Sequence, residues 1–128
     1  MLDLVRSRQP VVVVIEDDAA IRRLIENTLT PEYVVQSALN GEAGWDVIRA
    51  TRPDAIVVDL RLPGLSGLAL LQRLQADTGL RAIPVLVVTA STAQAARHAA
   101  LAAGARDWLI KPFSPGQLLR RVEAFVGT

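Results

Sequence analysis

The sequence predicts an α/β fold, a parallel sheet with helices on both faces, and three observations predict it. Short apolar runs rich in Val and Ile alternate with stretches whose apolar residues recur every three or four positions. Such alternation is the pattern of strand–helix–strand units joined by right-handed crossovers. Hydrophobic residues make up 51% of the chain and aromatic residues only 4%, a composition suited to Val, Ile, Leu and Ala strands buried between helices. The 128 residues suit one domain with a substantial core.

Val11 to Ile15 is an unbroken β-branched run and predicts a central strand, ending in Glu16-Asp17-Asp18. Ile21, Leu24, Ile25, Thr28 and Leu29 then repeat at helical spacing, with Arg22, Arg23 and Glu26 opposite, so an amphipathic helix runs up to Pro31. Asp18 falls where it would cap that helix. Tyr33-Val34-Val35 predicts a short strand, and Asn40 the N-cap of a second helix whose Gly41, Gly44, Trp45 and Ile48 face the sheet. Trp45 is then a core residue, and Gly44 a point of close approach.

The run Asp54 to Asp59, opened by Pro53 and followed by Pro63-Gly64, reads as a strand buried on both faces with a carboxylate at its end. Ser66 caps a third helix with Leu68, Leu71 and Leu74 inside, and Gly79 breaks the polar segment after it. Pro84 to Thr89 is the fourth strand, apolar until its last residue. Ser91 or Thr92 is placed to cap the Ala-rich helix that Gly104 stops, and the few large side chains of this helix predict weak packing and mobility. Trp108 to Ile110 is the last strand. Ser114-Pro115-Gly116-Gln117 is a capping box, opening a helix that buries Leu118, Leu119, Val122, Phe125 and Val126.

Fourteen basic residues against thirteen acidic ones leave a net charge of +1, which argues against a broad nucleic-acid or membrane-binding surface. Function must come from local chemistry. No cysteine is present, which removes disulfide and thiolate chemistry and agrees with a reducing setting. No apolar run reaches the roughly 18 residues of a membrane span, so the expectation is a cytoplasmic protein.

In a parallel sheet every strand's carboxyl end points the same way, so Glu16, Asp17, Asp18, Asp59, Thr89 and Lys111 are expected on one edge, where open α/β folds place their reactive groups. Gathered carboxylates repel one another unless a cation intervenes, and an all-oxygen set favours a hard ion such as Mg²⁺. Lys111 and Thr89 suit the oxygens of a phosphoryl group, and Asp59 suits a nucleophile forming an acyl-phosphate. No Gly-rich phosphate loop with a following Lys is present, which argues against ATP as direct donor.

With Glu16-Asp17 after the first strand, Asp59 and Pro63-Gly64 after the third, Thr89-Ala90 after the fourth and Lys111-Pro112-Phe113 after the fifth, the chain resembles a response-regulator receiver domain of two-component signalling. The resemblance runs from Val11 to Val126. It implies a flavodoxin-like (βα)5 three-layer sandwich with strand order 2-1-3-4-5, and Asp59 as phosphoacceptor. It further implies Mg²⁺ held by Asp17, Asp59 and the backbone carbonyl of Arg61, with Glu16 acting through water. Thr89, Ala90 and Lys111 would bind phosphoryl oxygens, and Lys111–Pro112 would be a cis peptide. Trp108 occupies the position of a switch aromatic that follows an inward movement of Thr89; its other reading is an edge-strand ring resting on the final helix. Arg61 and Ser91 lie at the mouth of the site, where such positions influence phosphoryl lifetime. His98 is expected to be a surface residue, and Arg120-Arg121 a wet helix face.

The implied partners are a sensor histidine kinase or histidine phosphotransfer protein as donor and a downstream output domain or protein on the surface of the fourth helix, fifth strand and fifth helix. A homodimer through that face is possible, and no direct nucleic-acid or membrane contact is expected. The chain would be a switch acting on itself and not an enzyme with a separate substrate. One rival is a Mg²⁺-dependent phosphohydrolase with an aspartyl-phosphate intermediate, which would want an acid where Arg61 stands. The other is a receiver-like docking module that is never phosphorylated. The sequence is read as a stand-alone receiver or one taken from a longer protein.

Overall fold

A computed structural model describes residues 9–127. Five strands, β1 (Val11–Ile15), β2 (Val34–Ala38), β3 (Ala55–Asp59), β4 (Val85–Thr89) and β5 (Asp107–Ile110), alternate with five helices, α1 (Ala19–Leu29), α2 (Gly41–Thr51), α3 (Gly67–Ala76), α4 (Gln94–Ala102) and α5 (Pro115–Val126). The strands are all parallel in the order β2-β1-β3-β4-β5. This is the flavodoxin-like (βα)5 sandwich, with β1 and β3 central and their apolar side chains alternating between two helical layers.

One layer packs Val12, Val14, Val57, Leu86, Val88 and Leu109 against Ile25 and Leu29 of α1 and Leu118 and Val122 of α5. The other packs Val13, Ile15, Ile56, Val58, Val87 and Trp108 against α2, α3 and α4. Gly44 is needed here: a Cβ on it would lie 2.4 Å from Ile15 Cδ1, so only hydrogen lets α2 settle on β1. Gly67 works similarly at the start of α3, where a Cβ would lie 2.4 Å from the Asp59 carbonyl oxygen.

The helix starts follow local chemistry. Asp18, Asn40 and Ser66 each accept a hydrogen bond from the backbone N–H three residues on, and Ser114 and Gln117 make both halves of the capping box. Helix α4 differs from its expectation. It starts after Ala93 with no side-chain cap, because Ser91 Oγ accepts instead from Ala93 N–H and closes a turn short of the helix.

Other details shift as well. Strand β2 starts at Val34, with Tyr33 buried just before it. Leu70 joins Leu71 and Leu74 in the buried stripe of α3, and Leu68 is half-buried at its side. Leu119, Phe125 and Val126 only flank the core that Leu118 and Val122 enter. Trp45 is half-buried and packs against the edge of the core, with Arg49 and Arg73 guanidinium carbons 5.6 and 5.3 Å from its ring centre. Leu24 is 39% exposed, because α1 turns Ile25 and Leu29 to the sheet and leaves Leu24 on the rim. No described helix is long and apolar enough to cross a membrane.

Candidate functional site

The site lies at the carboxyl ends of β1, β3, β4 and β5. Its foundation is the β1–α1 turn. Glu16 N–H continues the sheet ladder by donating to the Ala38 carbonyl at 3.1 Å, and Asp18 N–H donates back to Glu16 Oε2 at 3.2 Å. Asp18 in turn accepts from Ile21 N–H at 3.0 Å, so its side chain serves the helix and not the acid cluster. Asp17, between them, is exposed.

Glu16, Asp17 and Asp59 each bring one carboxylate oxygen within 4.8 Å of the other two. Asp59 is buried and both its oxygens are engaged: Oδ1 accepts from Arg61 N–H at 3.1 Å and Oδ2 from the Lys111 ammonium at 3.0 Å. The same ammonium stands 2.7 Å from Oε1 of the buried Glu16, forming a second ion pair. Lys111 thereby sits between two acids from strands far apart in sequence.

Burial pushes the Glu16 carboxyl up from 4.5 to about 6, with Asp59 adding to the rise and Lys111 and the Asp18 N–H opposing it. For Lys111 burial acts to lower the pKa, but Glu16 and Asp59 outweigh it and hold the ammonium above its usual value. Three clustered carboxylates, two of them beside the Lys111 ammonium, form an all-oxygen donor set that fits a hard divalent cation such as Mg²⁺.

Thr89 is fully buried at the end of β4, and its hydroxyl accepts from Ser91 N–H at 3.2 Å. Ala90 is exposed at the mouth, as is the side chain of Arg61. Lys111 N–H donates to the Thr89 carbonyl at 2.8 Å, and the Lys111–Pro112 peptide is cis. Trp108 is only 6% exposed. It pairs with Val87, two residues before Thr89, and alternation puts it on the face of Thr89. Its ring packs in the layer of Ala100 and Ala105, so it rests under α4 and not on the final helix. The reason is register: Leu109, not Trp108, points toward α5. His98 is exposed on α4, away from the acids.

Two features escaped the sequence. A cleft of about 350 Å³ opens beside Lys111, lined by Ile21, Leu24, Ala90, Lys111, Pro112 and Phe113 and almost wholly apolar. Helical periodicity assigns Leu24 to the core, so only its exposure reveals the cleft. The second is Arg22, whose guanidinium Nη1 donates to the Glu16 carbonyl at 3.0 Å. An Arg on the polar side of a helix carries no sequence signal for that reach.

Residues 12–123 match the family described as response regulator receiver domain. Among curated proteins, the chain is 39% identical over 116 residues to Response regulator MprA of Mycolicibacterium vanbaalenii, covering 90% of this chain and 49% of that protein. It is 34% identical over 116 residues to Protein RcaC of Microchaete diplosiphon, covering 91% of this chain and 18% of that one. The chain thus spans half or less of the length of these relatives. Among solved structures, the receiver domain of sensor histidine kinase PA1611 from Pseudomonas aeruginosa, with a magnesium ion coordinated in its active-site cleft, superposes with TM-score 0.86 at 30% identity, covering 94% of this chain and all of that one. Chemotaxis response regulator CheY4 of Vibrio cholerae gives TM-score 0.86 at 26% identity, over 92% of this chain and 99% of that one. Sequence and backbone agree from β1 through α5, and the chain belongs to the response regulator receiver family of two-component systems.

Proposed function

We propose that the protein is a phosphorylation-dependent switch that takes a phosphoryl group from a partner phosphohistidine onto Asp59 with Mg²⁺. The observation that carries this reading is the meeting of Glu16, Asp17 and Asp59 around one point, with Lys111 on Asp59 Oδ2. An Asp59 oxygen attacks phosphorus, the phosphorus–nitrogen bond to the donor imidazole breaks, and the imidazole nitrogen keeps that electron pair. Asp17, Asp59 and the Arg61 carbonyl would hold the metal directly, and Glu16 through water. Bound there, Mg²⁺ supplies charge stabilisation for the transferring oxygens.

The Lys111 ammonium, the Thr89 hydroxyl and the Ala90 N–H take the three phosphoryl oxygens. The apolar cleft beside Lys111 gives a donor helix a dry surface to rest on while its histidine faces Asp59. When Thr89 turns toward the phosphoryl group it leaves room on its face of the sheet. The Trp108 ring shifts into that room and α4 follows, altering the α4–β5–α5 surface that an output partner, or a second copy, would read. The added charge of roughly one and a half to two units biases such a two-state surface. Hydrolysis of the acyl-phosphate at the same site resets it, so the chain acts on itself and not on a separate substrate. Residues 11–126 would suffice as the functional unit, acting in the cytoplasm.

The test is to incubate the full chain with a small-molecule phosphodonor and Mg²⁺ and weigh it. The expected result is one phosphoryl group per chain, absent with chelator and absent in Asp59→Asn. Labelling that survives in Asp59→Asn, or no labelling of the wild type, defeats the reading. Trp108 fluorescence should change when beryllofluoride and Mg²⁺ are added, and an unchanged signal removes Trp108 from the switch.

A further inference from the structure

Arg22 stands on the second turn of α1, yet its Nη1 reaches back over the helix start to donate to the Glu16 carbonyl at 3.0 Å. That carbonyl belongs to the peptide group joining Glu16 to Asp17. Ladder and cap hold the rest of the turn: Glu16 N–H is fixed by Ala38, Asp18 N–H by Glu16 Oε2, and Asp18 caps the helix. Among the described residues only Arg22, from outside the turn, hydrogen-bonds the 16–17 peptide and sets its plane, and that plane sets where the exposed Asp17 carboxylate points. Among the described residues Arg22 makes no ion pair, so its half-buried guanidinium is not consumed by a neighbouring acid.

A cation at the rim of a metal site carries two opposed effects. Its charge repels a divalent ion, while its hydrogen bond preorganises the ligands. We infer that Arg22 is a positioning residue, which fixes the 16–17 peptide so that Asp17 meets Glu16 and Asp59 ready to bind a divalent cation. This rests on the reading of those three acids as the Mg²⁺ site. The two effects predict opposite signs on substitution. If charge alone mattered, removing it would tighten Mg²⁺ binding; if positioning dominates, removing the donor weakens it.

The experiment titrates Mg²⁺ alone into the full chain by calorimetry for wild type, Arg22→Met, Arg22→Lys and Asp17→Asn. In parallel, amide exchange of Asp17 and Asp18 is followed in chelator. The expected result is roughly tenfold weaker Mg²⁺ binding in Arg22→Met, recovery of most of that loss in Arg22→Lys, which restores an N–H donor, and faster metal-free exchange at Asp17 and Asp18 in the Met variant alone. Arg22→Ala replaces the Met variant if the latter does not fold. Unchanged or tighter Mg²⁺ binding in the Met variant overturns the inference, whatever the exchange shows. Equal Mg²⁺ binding by wild type and Asp17→Asn instead defeats the metal-site reading on which the inference stands, and the metal-free exchange then still shows whether Arg22 holds the turn.

Discussion

Helix α1 begins on Asp18, whose carboxylate accepts the Ile21 N–H, and it buries Ile25 and Leu29 against the sheet. Helix α4, across the same sheet edge, begins after Ala93 with no side-chain acceptor and buries only Ala100. Two of the three acids hang from the first flank: Glu16 continues the ladder of β1 with Asp17 after it, and Arg22 ties α1 back to that turn. The second flank carries Thr89, Ser91 and the cover over Trp108. Caps and buried apolar side chains fix the first flank, whereas few apolar contacts hold α4, so local opening there costs less.

The comparison breaks most visibly under core truncation. Ile15→Ala removes a fully buried side chain that α2 packs on through Gly44, and should cost about 2–5 kcal/mol in urea denaturation. A loss under 1 kcal/mol would mean that the β1 flank is no better packed than α4.

Next in size is a pH effect confined to the acid flank. Glu16 has a folded pKa of about 6 against 4.5 for the free group, so in the metal-free protein its ionisation opposes folding. The relief is full below about 4.5 and is lost as pH rises through about 6. Wild-type stability relative to Glu16→Gln should therefore fall by on the order of 2 kcal/mol between those limits, measured by denaturation in chelator at successive pH values. A difference that rises with pH would reverse the assigned cause. The Lys111 shift acts outside this window: raised in the fold, it adds stability below its ordinary value that is lost only in strong alkali.

Caps sharpen the contrast from both sides. Asp18→Ala should cost about 1 kcal/mol, whereas Ala93→Asp, which supplies the acceptor α4 lacks, should stabilise by about 0.5–1 kcal/mol and slow amide exchange in the first turn of α4. If Ala93→Asp leaves that exchange unchanged, the missing cap does not limit the stability of that turn. The smallest effect is Leu101→Ala on the outer side of α4, where the side chain is 41% exposed; it should stay within about 0.5 kcal/mol, and a larger loss would show that α4 is more firmly seated than its buried surface implies.

Elements whose causes are local can be read from residue order. The run of β1 comes out at its expected bounds, those of β3 and β4 start one residue later than expected, and Asp18, Asn40, Ser66 and Ser114 cap where they stand, because a strand buried on both faces and a helix start each need particular residue types within a few positions. Residue order also brought Glu16, Asp17, Asp59, Thr89 and Lys111 to one edge, since parallel strands leave their carboxyl ends together. Tertiary structure alone decided what depends on neighbours distant along the chain. Leu24 fits the apolar period of α1, yet borders a cleft because Phe113 and Pro112 arrive beside it. Trp108 lies under α4 because the β4–β5 register turns it from α5. Ser91 closes a turn and leaves α4 uncapped, Arg22 reaches a carbonyl that no periodicity assigns to it, and the rise at Glu16 comes from burial that the rest of the fold imposes. Local pattern fixes backbone direction and helix ends; desolvation and side-chain reach are set by what folding packs alongside, and one stretch of sequence does not contain that information.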